Sequence, residues 1–208
     1  MFYVELSTWT RRTMAHLIVG GVFERHPTLQ AVWTEFWGLR WAIEDLAHMT
    51  DRLRDIHPRY LDDTHSLRRH HTFGSPVVDG LSLTPLEYFQ RNCSIGASLL
   101  PRHDVKYAEV LGIERIMWGT DFPHDEGSAP NTTAALRATM HDQPTNVLRA
   151  MLGANAARLY DFDIEALKPI AARIGPRVDE VSEPLEVWPQ RPSAVFLRQS
   201  PLEKALSN

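Results

Sequence analysis

The sequence holds a single cysteine, Cys93, so no disulfide can form within the chain and a disulfide-stapled secreted scaffold is excluded. It has no apolar run of the ~18 residues that a membrane-spanning helix needs. It has no surplus of positive charge either: 22 Lys and Arg stand against 26 Asp and Glu, for a net charge of −4. That balance offers nothing to draw in nucleic acid or an acidic lipid surface. The one dense basic stretch, Arg68, Arg69, His70 and His71, reads as a solvated loop. The arginine pair Arg11-Arg12 precedes only a short apolar patch, without the length or the small-residue cleavage site of an export signal. The cytoplasm is therefore the expected compartment. Repeats of fixed period and low-complexity tracts are also missing.

What remains is ordinary globular material, 43% hydrophobic and 23% charged over 208 residues, enough for one core or for one core and a tail. Residues 8–21 have a helical rhythm closed by Gly20-Gly21. "FERHPTLQ" reads as a turn, because Pro27 pushes His26 out of the helical region. Leu29 to Phe36 is a short β-rich run. The apolar spacing Leu39, Ile43, Leu46, Met49, Leu53, Ile56 predicts a helix of about five turns. Residues 58–84 have no period and read as a long loop. "TPLEYFQRN" predicts a helix with Thr84 as N-cap, Pro85 in the first turn and Glu87 completing a capping box. "CSIGAS" is a weak second strand, residues 101–112 a helix ended by Gly112, and "IERIMWGT" a third strand. Three more helices are predicted at 131–140, 145–160 and 164–174. From Pro176 the prolines and the loss of apolar rhythm predict an extended tail, which divides the chain into 1–175 and 176–208.

Strand alternating with helix is the pattern of a parallel sheet covered by helices, and such sheets gather chemistry at the carboxyl ends of their strands. Glu35 falls near the end of the first strand and Asp121 just past the end of the third, in "IMWGTDFPHD". Either carboxylate can serve chemistry, or Asp121 can simply cap the backbone N–H groups of the following turn. His124 likewise either reaches a substrate and orients Asp121, or caps a polar turn. His16 reads as a half-buried packing residue. Trp33, Trp37 and Trp41 read as core or pocket wall, Trp37 being the one placed to face a substrate after a strand end. Asn155 reads as a backbone-bonding residue of the last helix, and Arg91-Asn92 as structural.

Together, "GGVFERHPTLQAVWTEFWG", "TPLEYFQRNCSIG", "LGIERIMWGTDFPHDEG" and "MLGANAARLYDFD" stand in the order and spacing of a known family. Over roughly Leu6 to Ile174 the chain resembles the amidohydrolase-related family, in the branch of metal-dependent (β/α)8 enzymes that includes aminocarboxymuconate-semialdehyde decarboxylase. The resemblance implies an α/β fold: a partial TIM-like barrel covering roughly strands 6 to 8 with their helices, plus the extended C-terminal tail. It implies a metal-dependent hydrolase or decarboxylase acting on a small, carboxylated organic substrate. By position Asp121 is the implied metal ligand or proton carrier, with Glu35 and His124 as catalytic partners and Trp37 lining the substrate. A hard carboxylate oxygen suits a divalent ion, zinc first and manganese second. Decarboxylases of the family often place a histidine where this chain has Glu35, which counts against histidine-dependent decarboxylation.

The same resemblance marks what is not encoded. A barrel of this kind takes ~250 residues and eight strands. None of the ten histidines form the family's H-x-H pair, since no two are separated by one residue. The expectation is thus a truncated chain, active with a missing N-terminal half or as a homo-oligomer, and possessing no metal by itself if Asp121 stands alone. The alternative expectation is a non-catalytic module that pairs through its open sheet edges.

Overall fold

The computed structural model describes residues 2–36, 38–54, 75–98, 100–187 and 189. These fall into two compact units, one formed by Met1–Trp33 with Arg40–Ser94 and the other by Thr34–Leu39 with Ile95–Asn208.

In the first unit, helix α1 (Phe2–Val19) buries Met14 and Ile18, one turn apart on one face. Gly20 and Gly21 end it as predicted, Gly21 with a φ of 66° that glycine adopts without cost. A four-residue helix α2 (Val22–Arg25) follows where a turn is predicted, and the chain leaves the helical region only at His26. Helix α3 (Leu39–Arg54) matches its predicted periodicity. Its Asp45 takes both Arg11 nitrogens of α1, Nε at 2.7 Å and NH2 at 2.5 Å. That same guanidinium lies 5.7 Å from the ring centroid of Trp41. Part of the long loop expected at 58–84 is helical, α4 (Ser75–Asp79), while 55–74, including Arg68–His71, lies outside the described residues.

Helix α5 (Pro85–Asn92) starts on the capping box read from the sequence: the Thr84 hydroxyl accepts from Glu87 N at 3.3 Å, and the Glu87 carboxylate accepts from Thr84 N at 2.7 Å. Its Tyr88 and Phe89 are fully buried. Asn92 donates to Pro27 O and Leu29 O, and Arg91 to Phe23 O, which bears out their structural reading. These bonds also shorten the first strand. With the Leu29 carbonyl taken by a side chain, strand β1 covers only Ala31–Trp33 rather than Leu29 to Phe36.

Strands β2 (Cys93–Ser98) and β3 (Ile116–Gly119) complete a three-stranded sheet in the order β1-β2-β3. β2 and β3 run parallel, with Ile95 opposite Ile116, Gly96 opposite Met117, Ala97 opposite Trp118 and Ser98 opposite Gly119. The chain is thus an α/β protein built on a small parallel sheet, as far as the predicted fold is observed.

In the second unit, the helix predicted at 101–112 breaks into a 3-10 turn, Arg102–Asp104, and helix α6 (Tyr107–Leu111). Helix α7 (Thr132–Met140) buries Ala135, Leu136 and Met140. The helix predicted over 145–160 is observed as α8 (Thr145–Arg149), a π-helical turn (Ala150–Ala154) and α9 (Asn155–Tyr160). Asn155 is buried and bonds backbone, as read, but its partners are on another element: Nδ2 donates to Ile113 O and Ile116 O, both at 2.7 Å, at the foot of β3. Helix α10 (Ile164–Ile174) exposes its whole length. The expected extended tail holds a further short helix, α11 (Val178–Val181), with Val181 buried, and Arg137 of α7 donates to Glu183 O and Pro184 O beyond it. No helix among the described residues is long and apolar enough to cross a membrane.

Candidate metal centre

Two strand ends deliver the acidic residues. After β1 the backbone turns at Glu35, whose φ of 53° lies in the left-handed region, and this ends the strand before the predicted Phe36. The turn is fastened by Phe36 N donating to Gly96 O of β2 at 3.2 Å and by Gly38 N donating to Phe36 O at 3.1 Å. At Gly38, with φ 114°, a Cβ would come within 2.7 Å of Asp104 Oδ2, so the buried Asp104 carboxylate occupies the space a side chain would take. Trp37 lies outside the described residues.

After β3, Asp121 also adopts a left-handed conformation, φ 61°. Two non-glycine residues held in this region, one at each strand end, cost of order 1 kcal/mol apiece and mark places where the surrounding fold dictates the backbone. The loop then folds back on itself. His124 N donates to Asp121 O at 2.9 Å, Gly127 N to His124 O at 3.0 Å and Ser128 N to Thr120 O at 2.8 Å. Gly127 is the pivot: a Cβ there would meet Thr120 O, His124 O and Asp121 O at 2.8, 2.9 and 3.0 Å. Asp121 is thus no N-cap of a following helix, since the next helix, α7, begins only at Thr132.

The result is a convergence of three side chains. His124 Nδ1 lies 3.3 Å from Glu35 Oε1 and 3.4 Å from Asp121 Oδ2. One donor atom from each of the three residues lies within 4.8 Å of the other two. The Asp121 side chain is 7% exposed, whereas Glu35 is 53% and His124 55% exposed, so the cluster has a buried floor and an open rim. Both carboxylates face the same ring nitrogen, so an ion pair to imidazolium, a shared proton, or a cation held by all three are the arrangements this geometry permits.

A divalent ion bound at about 2.0–2.2 Å from each donor sets tetrahedral ligands about 3.3–3.6 Å apart. The two distances to His124 fall in that interval, and a carboxylate–carboxylate–imidazole set is the donor chemistry of zinc or manganese. Three protein ligands with one open side is also the composition of catalytic rather than structural zinc sites. The residues therefore fit a divalent metal.

Of the residues singled out in the sequence, the structure brings Glu35, Asp121 and His124 together. Trp33 is buried, and Trp41 lies half-buried beside Arg11. His16 is not the half-buried packing residue expected. It is exposed on α1, with Arg12 Nε 3.3 Å from its Nε2. The sequence reading passed over Gly38, Asp104 and Gly127, which shape the two turns; only the left-handed conformations and close approaches of the folded chain single them out.

Comparison with known proteins agrees with the architecture. The family model described as amidohydrolase matches residues 6–162. The chain belongs to the amidohydrolase family. Among solved structures, an amidohydrolase from Mycobacterium avium subsp. paratuberculosis K-10 superposes with a TM-score of 0.53 at 23% identity, over 72% of this chain and 32% of that one. At that identity the likeness speaks for the fold, and this amidohydrolase chain spans about a third of its structural relative's length. No curated protein matches the sequence.

Proposed function

We propose that this amidohydrolase family member contributes the metal-facing acid–base corner of a metal-dependent hydrolase acting on a small, carboxylated organic substrate. The observation that carries the reading is the meeting of Glu35, Asp121 and His124 beyond two strand ends. In this reading the three strands are barrel strands 6 to 8 of a (β/α)8 enzyme.

Asp121, Glu35 and His124 would hold the ion, zinc before manganese. Such an ion, when bound, polarises a substrate carbonyl and brings the pKa of bound water to about 7. The chain's own groups divide the rest. Asp121, nearly buried and fixed by its turn, supplies the ligand oxygen whose position varies least. Glu35 on the open rim is the carboxylate able to accept a proton from an incoming nucleophile. His124, with Nδ1 turned to the two acids, keeps Nε2 for proton exchange with the substrate; which nitrogen carries the proton follows from the bond the other makes. A carboxylate rather than an imidazole at position 35 favours hydrolysis over histidine-dependent decarboxylation.

The test is the metal content of the purified chain after dialysis against a trace of zinc and manganese. The expected result is close to one ion per chain in the wild type and at least a tenfold loss of affinity in Asp121→Asn, the scale on which a ligand's environment acts. Equal metal content in the two proteins, or none in either, overturns the assignment. Asparagine is chosen because it tolerates the left-handed backbone that Asp121 adopts.

A further inference from the structure

β2 presents two different faces. Ile95 and Ala97 are completely buried on one, and Gly96 and Ser98 alternate on the other, level with Met117 and Gly119 of β3. Ser98 is the last residue of its strand, at the same end of the sheet from which Asp121 emerges two residues after Gly119. It is only 8% exposed, and among the described residues its hydroxyl has no hydrogen-bond partner. The hydroxyl opens to solvent rather than being sealed in the core, so it stands free to bond a molecule that enters at this strand end. Gly119 leaves it uncovered: a Cβ at that position would sit 3.0 Å from Ser98 Oγ.

We propose that Ser98 is a substrate-positioning residue, whose hydroxyl donates a hydrogen bond to a carboxylate oxygen of the molecule held against Glu35, Asp121 and His124. This rests on the hydrolase reading above and adds to it a third strand end with a defined task. Glu35 and Asp121 follow β1 and β3 and face the reacting centre, while β2 contributes a neutral donor in a space kept narrow by glycines. A neutral donor suits an anionic group already near a cation, because it orients the carboxylate without adding a second charge to be desolvated.

Benzoate is the probe, followed by NMR titration of its signals against the full chain, with and without one equivalent of zinc. Ser98→Ala is expected to weaken benzoate binding roughly 3–10-fold, the worth of one net hydrogen bond. Ser98→Thr, which keeps the hydroxyl, is expected to retain wild-type binding. Gly119→Ala, which leaves Ser98 in place but covers its hydroxyl, is expected to match the loss seen in Ser98→Ala. Zinc content should be the same in all four proteins, and Ser98→Ala should melt at the wild-type temperature, because the hydroxyl it removes opens to solvent and holds no other part of the described chain. Unchanged benzoate binding in Ser98→Ala, no benzoate binding by the zinc-loaded wild type, or a lowered melting temperature that reveals a structural bond would each overturn the proposal. A wild type that holds no zinc overturns the metal assignment instead; the Ser98 contrast is then read on the metal-free chain by the same criteria.

Discussion

At the scale of single residues, the centre depends on positions where the backbone, not the side chain, is unusual. Glu35 and Asp121 both sit at positive φ, and Gly38 and Gly127 make room for a carboxylate and for three carbonyl oxygens respectively. Gly127 offers the sharpest case. Its neighbours are backbone atoms, which cannot swing aside as the end of a flexible side chain can. Gly127→Ala is expected to displace the 120–128 loop, separating His124 from Asp121. The expected outcome is a loss of metal comparable with that of Asp121→Asn, accompanied by destabilisation of about 1–3 kcal/mol in urea unfolding. Metal affinity equal to the wild type would show that the loop absorbs the change and that His124 is not held by it.

At the scale of elements, the link between helix and strand is polar where sequence patterning speaks only of apolar faces. Asn155 opens α9, directly after the π-helical turn Ala150–Ala154, and its amide satisfies two carbonyls at the entry to β3. Nearby, Arg158 NH2 donates to Glu114 O. Asn155→Ala strands two carbonyls in a buried place and is expected to cost about 2–3 kcal/mol, read as a lowered urea midpoint. Asn155→Asp should cost no less, because it exchanges the donor for a buried acceptor facing other acceptors. A neutral Asn155→Ala would mean that water replaces the amide. The π-helical turn accounts for the difference between one predicted helix of sixteen residues and the three segments observed: the sequence periodicity is continuous, and the extra residue per turn is accommodated only in the packed state.

At the scale of the whole molecule, acid and metal address different units. The candidate metal centre belongs to the unit containing Thr34–Leu39 and Ile95–Asn208, whereas Glu24 belongs to the other. The hydrogen bond from Tyr88 holds the Glu24 carboxyl below its ordinary range, and Ser82 adds two more through its hydroxyl and its backbone N–H. Burial, then the same Glu24 bond, pushes the Tyr88 phenol up. Because the folded value for Glu24 is depressed, the stability it contributes is complete above the unfolded value of about 4.3 and is lost as pH falls through the folded value. Glu24→Gln keeps an acceptor for Tyr88 but removes the titration. It is expected to flatten the acid limb of stability below about pH 4.3, read as urea midpoints across that range. An acid limb as steep as the wild type's would place the titration elsewhere. Zinc, by contrast, is expected to raise the stability of the unit holding Asp121, by about 2.7 kcal/mol when the free ion is a hundredfold above its dissociation constant.

The sequence by itself determined the elements with strong local signals. Periodicity specified α3, the Thr84–Glu87 pair specified the start of α5, and alternation of strand and helix specified a parallel α/β sheet. Motif spacing also specified the family, and it singled out Glu35, Asp121 and His124 as candidates. These are properties of neighbours in the chain, or of residue types whose chemistry is the same wherever they stand. Tertiary structure decided what depends on partners far along the chain. It shortened β1, because Asn92 takes a carbonyl that a ladder would have used. It broke the 101–112 helix and turned part of the expected loop and tail into α4 and α11. It bent Glu35 and Asp121 into the left-handed conformations that let two carboxylates meet one imidazole. And it left the Ser98 hydroxyl unpaired beside Gly119, a fact of register between two strands that no local pattern in either strand contains.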